Sequence, residues 1–474
     1  MREKISTEQL LENLRSGAAF PRADQIRLVL RLSIPTILAQ LSSIIMSYID
    51  TAMVGRLGTN SSASIGLVST TVWLLHGLCT CLTVGFAVIA AQKLGAGERS
   101  ETLHVLHQAM EVTLSIALLI GIIGALLAPF LPGWLGGERA LRRDSSLYLM
   151  IVALSLPFFE ANYLGGAMLR SYGSMKLTGM VQILICVLDV IFNYFLIFGG
   201  GDLVLGRLHL FLPGAGLGVA GAALGTALSI AVGAIILTIA AHRTATRIQG
   251  DRGHFPERPD TVLIRRAVRI SLPVLGERIV MNGAYLATTR IISPLGAVPL
   301  MAHSFAITAE SFCYMPGYGI GEAAQTMVGQ SVGAGRTDMA RHLSWLSVAL
   351  GSFLMACTGV MLYFGSPYIF SFLTPVSEAQ ALGVRILRIE AFAEPLYGAS
   401  IIASGALRGI GDTLVPALLN LFSMWGVRIL LSVLLVPVFG LPGAWIAMAT
   451  ELCVRGIILC IRLLRVKWKR IGSV

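Results

Sequence analysis

Four carboxylates of the N-terminal half, Asp50, Glu111, Glu160 and Asp189, stand inside otherwise apolar stretches. Two of them belong to polar series. Thr36, Gln40, Ser43, Ser47 and Asp50 follow one another at steps of four, three, four and three, which on an α-helix places them along one face. Gln182, Cys186, Asp189 and Asn193 obey the same rule. A polar stripe turned toward lipid would be costly, so both stripes are expected to face a shared wet cavity. No Lys or Arg accompanies these acids within their apolar stretches. A carboxylate taken out of water without a basic partner must be neutralised by a proton or a bound cation. Either event is ion-coupling chemistry. A sodium ion held at Asp50 and Asp189 is the one metal this pattern admits, because hard cations take oxygen ligands.

The C-terminal half has a different balance. Arg278, Arg290, Arg385, Arg388, Arg428 and Arg455 lie in apolar stretches beside Glu277, Glu310, Glu322, Glu390, Glu394 and Glu451. Glu277, Glu310, Glu390 and Glu394 are therefore expected first as structural partners of Arg278, Arg290 and Arg428. Arg428 in particular should meet Glu310, Glu390 or Glu394. A substrate cavity has candidates in Gln40, Ser43, Ser47, Gln182, Glu277, Glu310 and Tyr397, with Trp73, Tyr285, Tyr314 and Tyr318 as further aromatic faces suited to organic cations. "HVLH" at 104 to 107 has weak ligand spacing and no acidic neighbour, so no metal is expected there. The seven cysteines all fall in apolar stretches without a CxxC pair and read as packing residues.

These residues need elements to position them, and composition says what kind. The chain has 474 residues, 55% of them hydrophobic and only 13% charged, far more apolar surface than a soluble core requires. It reads as a polytopic membrane protein. Stretches of about 20 apolar residues, enough to cross the hydrocarbon, occur at roughly 32 to 54, 63 to 92, 103 to 128, 145 to 169, 177 to 199, 216 to 241, 270 to 293, 300 to 332, 342 to 364, 381 to 407, 414 to 438 and 442 to 461. The expected class is all-α with twelve transmembrane helices. The net charge of +11 invites a nucleic-acid reading, but no base-reading motif accompanies it. With a cytoplasmic N-terminus, only Arg56, Arg139, Arg142, Arg143 and Arg207 fall outside, which is the positive-inside pattern. The opening "MREKISTEQLLENLRSG" lacks an apolar core with a cleavage site and reads as a polar, partly amphipathic cytoplasmic lead-in.

The chain also repeats itself. "RLSIPT" at 31 and "RISLPV" at 269 are 238 residues apart, and the same offset carries Gln92 onto Gln330, Pro157 onto Pro395 and "LRSYG" at 169 onto "LRGIG" at 407. Each half thus reads as a six-helix lobe. An even helix count starts both lobes on the same face, giving a pseudo-two-fold axis along the membrane normal. The expected divisions are an N-terminal cytoplasmic segment (1–31), an N-terminal lobe (32–241), an arginine-rich cytoplasmic linker (242–269), a C-terminal lobe (270–461) and a basic cytoplasmic tail (462–474). The acids are not duplicated with the scaffold. Thr288 takes the place of Asp50, and Val427 that of Asp189. Pro35, fifteen residues before Asp50, gives the first span a ready hinge.

With "IPTILAQLSSIIMSYIDTAMVGRLG", "FCYMPGYGIGEAAQTMVGQSVGAG", "ALRGIGDT" and "GVAGAALGTALS" in these places, the chain resembles the multidrug and toxic compound extrusion (MATE) family over nearly its whole length. The resemblance implies an antiporter that expels organic solutes in exchange for protons or sodium, and it assigns cation coupling to Asp50, the aspartate before "TAMVG". It adds Asn162 of the fourth span and Thr226 of the sixth to a polar cluster with Asp189 and Asn193. One branch of the family carries an asparagine four residues before an acid in the fifth span, whereas here Asp189 precedes Asn193. Another branch places cation-binding acids in the seventh and tenth spans, where this sequence has Met281 and Tyr397, with Glu277 and Glu394 about a turn away.

The leading expectation is therefore a cation-coupled exporter of amphipathic or cationic small organic compounds. It would work by alternating access as a monomer in a bacterial inner membrane, both termini cytoplasmic, with the bilayer as its other partner. No cofactor and no nucleic acid are expected. The alternative is a lipid-linked precursor flippase of the same superfamily, for which extra spans and cavity arginines would be anticipated. An intramembrane enzyme is disfavoured, since HExxH and GxSxG are lacking.

Overall fold

The computed structural model describes residues 6–16, 20–205, 208–250 and 259–468, with the side chains of 201–213 left aside. Arg207, residues 251–258 of the expected linker and 469–474 of the expected tail lie outside the described residues. The helices are α1 (Thr7–Arg15), α2 (Arg22–Gly55), α3 (Thr59–Gly95), α4 (Thr102–Leu127), α5 (Leu131–Trp134), α6 (Arg139–Ser171), α7 (Met175–Ile197), α8 (Gly218–Gln249), α9 (Thr261–Ile292), α10 (Ala297–Gly333), α11 (Thr337–Leu373), α12 (Ser377–Ala391), α13 (Glu394–Gly409), α14 (Leu414–Phe422), α15 (Leu430–Phe439) and α16 (Leu441–Leu464). A π-helical segment, Ser423–Ile429, joins α14 to α15. Nine helical segments of the described residues are long and apolar enough to cross a membrane. The twelve crossings are completed by α9 and α10 and by the α12–α13 pair, which is interrupted at Phe392 and Ala393.

One element has no counterpart in the sequence reading. Strands β1 (Gly199–Leu205) and β2 (Leu208–Ala215) pair antiparallel from Gly199 with Ala215 to Leu205 with Leu208, between α7 and α8. The hairpin lies outside the apolar spans and leaves the membrane part all-α.

The contacts gather the chain into two compact units. One takes the described residues up to Leu41, then Ala91–Glu98 and everything from Arg269 onward; the other takes Ser42–Ala90 and Arg99–Val268. Helix α2 therefore contributes to both, changing unit between Leu41 and Ser42. The first unit is built on Met355, Phe370, Ile386, Leu387 and Trp445, and on Ile402, Ala406, Leu407 and Leu459. In the second, small apolar clusters hold the helices together: Val54 with Ile197 and Ala222, and Cys79 with Ala117 and Leu156. Large apolar side chains such as Leu118, Leu119, Ile122 and Phe353 point outward, as a hydrocarbon surround demands.

The duplicated "GAG" ends its helix in both halves. Gly97 (φ 81°) and Gly335 (φ 70°) take the left-handed conformation. Glu98 N–H returns to Lys93 O at 3.0 Å and Arg336 N–H to Ser331 O at 2.9 Å, the same six-residue closure twice. Close to these ends the repeat closes on itself. A methyl on Gly95 would strike the backbone of Gln330, and one on Gly333 the backbone of Gln92.

The N-terminal segment is more than a lead-in. A capping box starts α1, with Ser6 N–H donating to Gln9 Oε1 at 2.7 Å and Gln9 N–H to Ser6 Oγ at 3.1 Å. Its Leu10, Leu11 and Leu14 are buried. Arg15 donates to Gln330 Oε1 at 3.1 Å, and Arg336 Nη1 donates to the carbonyls of Asn13 and Leu14. Amphipathicity in the sequence thus becomes a docked helix.

Candidate functional site: two aspartates sharing one amide

Within the second unit, α2, α7 and α8 bring the sequence-predicted acids together. The side-chain amide of Asn193 donates to Asp50 Oδ1 at 2.8 Å and to Asp189 Oδ2 at 3.0 Å. Both carboxylates therefore hang on one nitrogen. Asp189 and Asn193 are fully buried, and Asp50 is partly so. Asp189 and Asn193 meet at this point because four residues are roughly one helical turn. The reversed order of acid and amide along α7 still yields a compact pair.

Ser229 of α8 completes the cluster, donating from Oγ to Asp189 Oδ1 at 3.2 Å. The same hydroxyl lies 2.9 Å from the carbonyl of Thr226, so it serves two acceptors alternately. Thr226 enters the site through its backbone, and Ser229 supplies the side chain that the sequence reading missed. A usable signal was its i, i+3 spacing from Thr226. Gly225 is the other missed residue. A Cβ there would run into the Asn193 amide oxygen, so its lack of a side chain makes room for Asn193. That oxygen has no hydrogen-bond partner among the described residues.

Asn162 stands apart from the acids. Its amide oxygen lies beside Gly233 of α8 and has no hydrogen-bond partner among the described residues. The first-span stripe is divided. Thr36 Oγ1 lies 2.8 Å from Gly319 O of α10, and Gln40 donates to Glu322 Oε1 at 3.2 Å, while Asp50 belongs to the cluster with α7. Ser43 and Ser47 are exposed and Gln182 is half-buried. Elsewhere in this unit Glu160 is fully buried and accepts from Thr83 Oγ1. The "HVLH" histidines part company: His104 Nε2 lies 3.5 Å from Asp260 Oδ2, and His107 Nε2 lies 3.4 Å from His242 Nδ1.

The C-terminal charges pair differently from the sequence expectation. Glu277 goes to Arg408 at 3.4 Å and Asn420 at 2.7 Å, leaving Arg278 and Arg290 outside the arrangement. Arg455 takes Glu451 at 2.7 Å. Among the described residues no carboxylate bonds to Arg428. Its Nη2 lies 2.8 Å from Met448 Sδ and its Cζ sits 5.7 Å from the centre of the Tyr285 ring, while both carboxylate oxygens of Glu390 and of Glu394 lack a hydrogen-bond partner among the described residues. The expectation rested on a balance of charges, and the balance resolves into other pairs: Glu277 takes Arg408 and Glu451 takes Arg455, so Arg428 is left with sulfur and ring neighbours. Glu310 is buried nearby, and Tyr397 is buried with its ring 5.7 Å from that of Tyr314.

What the aspartate cluster can do follows from its parts. Two carboxylates around one neutral amide repel each other when both are charged, and a proton or a cation between them relieves that repulsion. Their carboxylate oxygens are ligands of the kind that hard cations prefer.

Comparison with known proteins agrees with the architecture. The family model MatE matches residues 35–195 and again 273–434, one match in each half of the repeat. Among curated relatives, the "Uncharacterized transporter YisQ" of Bacillus subtilis strain 168 is 26% identical over 87% of this chain and 89% of its own length. The "Probable multidrug resistance protein NorM" of Thermotoga maritima is 25% identical over 93% of each. Among solved structures, the Vibrio cholerae MATE transporter VcmN in its bent form superposes with a TM-score of 0.81 at 17% identity, covering 94% of this chain and 98% of its own. A MOP superfamily transporter from Pyrococcus furiosus gives 0.85 at 17% identity over the whole of both chains. Family matches in both halves, on a fold of twelve crossings, make this chain a member of the MATE family of membrane transporters.

Proposed function

We propose that this transporter exports amphipathic organic compounds, drugs among them, in exchange for a coupling cation, and that the cation is carried at Asp50 and Asp189. The observation that carries the reading is the shared Asn193 amide, which joins the two acids in a cluster without Lys or Arg among the described residues. Curated relatives named as multidrug resistance proteins support the export direction. The coupling ion is a proton or sodium, and carboxylate oxygens suit either. Export proceeds by alternating access, with both termini cytoplasmic in a bacterial inner membrane, an orientation supported by the crowding of Lys and Arg on the segments that would face the cytoplasm.

The test is substrate flux in reconstituted vesicles under separately imposed proton and sodium gradients. Native protein should respond to one of them, and Asp50→Asn should lose that response while keeping its expression level. Near-normal gradient-driven flux by the variant would overturn the assignment.

A further inference from the structure

Arg385 and Arg388 stand three residues apart on α12 and so share a face. With Tyr363 of α11, and with Val384, Ile389 and Phe392, they line a groove of about 500 Å³. Arg388 is held in place. Its Nε donates to Tyr363 O at 3.4 Å and its Cζ lies 5.1 Å above the Tyr363 ring. Arg385 is exposed. Neither guanidinium forms an ion pair among the described residues. On the same helix, Glu378 lies about two turns before Arg385, and Glu390 is fully buried. The surroundings are apolar and outward-facing: Phe364 is 69% exposed, Phe392 76% and Tyr368 78%.

Two cations on a lipid-facing surface need a reason, because charge in contact with hydrocarbon is expensive. Snorkelling to water would serve a single long side chain. It does not account for a groove walled by aliphatic and aromatic groups with two guanidinium groups at one side. Tyrosines such as Tyr363 and Tyr368 favour the level of the headgroups, where a phosphate is at hand. A guanidinium fork matches phosphate oxygens in a bidentate way, and the apolar wall offers a bed for the start of an acyl chain.

We propose that this groove binds an anionic phospholipid, its phosphate on Arg385 and Arg388 and its acyl chain along Val384 and Phe392. The inference is independent of the export reading and of the aspartate cluster.

The experiment uses the full chain, purified in detergent and stripped of native lipid, with bound lipid counted by native mass spectrometry during titration. The probes are phosphatidylglycerol, phosphatidylcholine and inorganic phosphate. The expected result is binding of phosphatidylglycerol about tenfold tighter than phosphatidylcholine, because the choline cation beside the phosphate of the latter is repelled by the two guanidinium groups. Arg385→Gln/Arg388→Gln should reduce that ratio to near one. Should the double variant fail to fold, the single Arg385→Gln change at the exposed position should still lower it. Equal binding of the two lipids by the native protein would overturn the proposal and leave the arginines as snorkelling groups. Selectivity retained by the variants would place the lipid elsewhere and overturn it as well. Complete displacement of the lipid by millimolar inorganic phosphate would mean a simple ion site, against the proposal.

Discussion

The side-chain amide of Asn193 donates to Asp50 across 2.8 Å while donating to Asp189, one turn back on its own helix, across 3.0 Å. A single neutral group therefore sets the distance between two acids on different helices. Losing a proton or cation from either acid changes what the other experiences, since among the described residues no Lys or Arg bonds to either.

Gly225 tests this arrangement without touching an acid. Gly225→Ala introduces a methyl where the Asn193 amide oxygen now lies, and overpacking of this kind typically costs about 1–3 kcal/mol. The amide should be pushed off one carboxylate. Gradient-driven flux should fall several-fold with only a small loss of thermal stability, and Gly225→Ala/Asn193→Ser, which frees the space, should regain the lost stability but not the flux. Full flux in the single variant would show that the shared amide is dispensable.

How far the sequence could be read depends on the type of signal. Steps of three and four revealed the stripe of α7 and hence the Asp189–Asn193 pair, because helix geometry converts spacing directly into a shared face. Partners on other helices were harder. Ser229 and Gly225 act through one hydroxyl and one missing methyl, features too small to mark a sequence. Arg428 shows a different limit. Its carboxylate partner was expected from the balance of acids and bases in that half, but a balance of charges does not say which acid reaches which base across helices, and Glu277 and Glu451 meet Arg408 and Arg455 instead. The spans themselves were legible, and what hydropathy did not show is the interruption at Phe392 and Ala393 inside the tenth. The β1–β2 hairpin lies between the fifth and sixth spans, where "GDLVLGRLHLFLPGA" is too short to cross a membrane and reads as a connection.

The buried arginines should respond differently to mutation. Arg455 is bonded through Nε and Nη2 to Glu451 at 2.7 Å, and Ser423 also donates to that carboxylate. Removing one partner of such a pair leaves an uncompensated buried charge, worth about 3–5 kcal/mol. Glu451→Leu should lower the melting temperature strongly, and Glu451→Leu/Arg455→Met should recover much of the loss. Arg428 has thioether and ring neighbours in place of a carboxylate, so Arg428→Met should be nearly neutral or stabilising. Equal losses in Glu451→Leu and Arg428→Met, measured by thermal unfolding in one detergent, would contradict this contrast.

Asp260 carries a pH signature outside the membrane. Its Oδ1 accepts the backbone N–H groups of Val262 and Leu263 at 3.0 Å, capping α9. The Leu263 amide, with help from that of Val262 and from His104, holds its carboxyl below the usual carboxylate range. A depressed folded value means that the stabilisation is complete above the ordinary value of about 3.9 and is lost as pH falls through the lower folded one. Asp260→Ala should therefore cost about 0.5–2 kcal/mol at neutral pH, as loss of an N-cap does. The difference from native protein should shrink as pH falls below about 5 toward pH 3. A difference that persists undiminished at pH 3 would show that the carboxylate charge is not what caps the helix.

The last expectation concerns α2, whose two parts are held by different partners. Near its start, Pro35 has no N–H to give the carbonyl one turn back, which weakens the helix there. The neighbouring hydroxyl of Thr36 lies 3.1 Å from Leu32 O, 2.8 Å from Ser33 O and 2.8 Å from Gly319 O, so one proton serves three acceptors and can change allegiance at little cost. Further along, Asp50 is tied to α7 through Asn193. A change of charge at Asp50 alters that tie, and the helix is weakest around Pro35, immediately before the α10 contact of Thr36. Such an event shifts a conformational equilibrium only by its differential affinity for the two states, and the two-acid cluster is where that difference would arise. In a cysteine-free background, spin labels at the exposed positions of Ile45 and Ile191 report the α2–α7 separation. Their distance distribution should shift between low and high pH, or with sodium, in the native protein. It should stay fixed in Asp50→Asn, and Pro35→Ala should narrow the shift while leaving cation binding in place. A shift of equal size in all three proteins would put the switch outside α2.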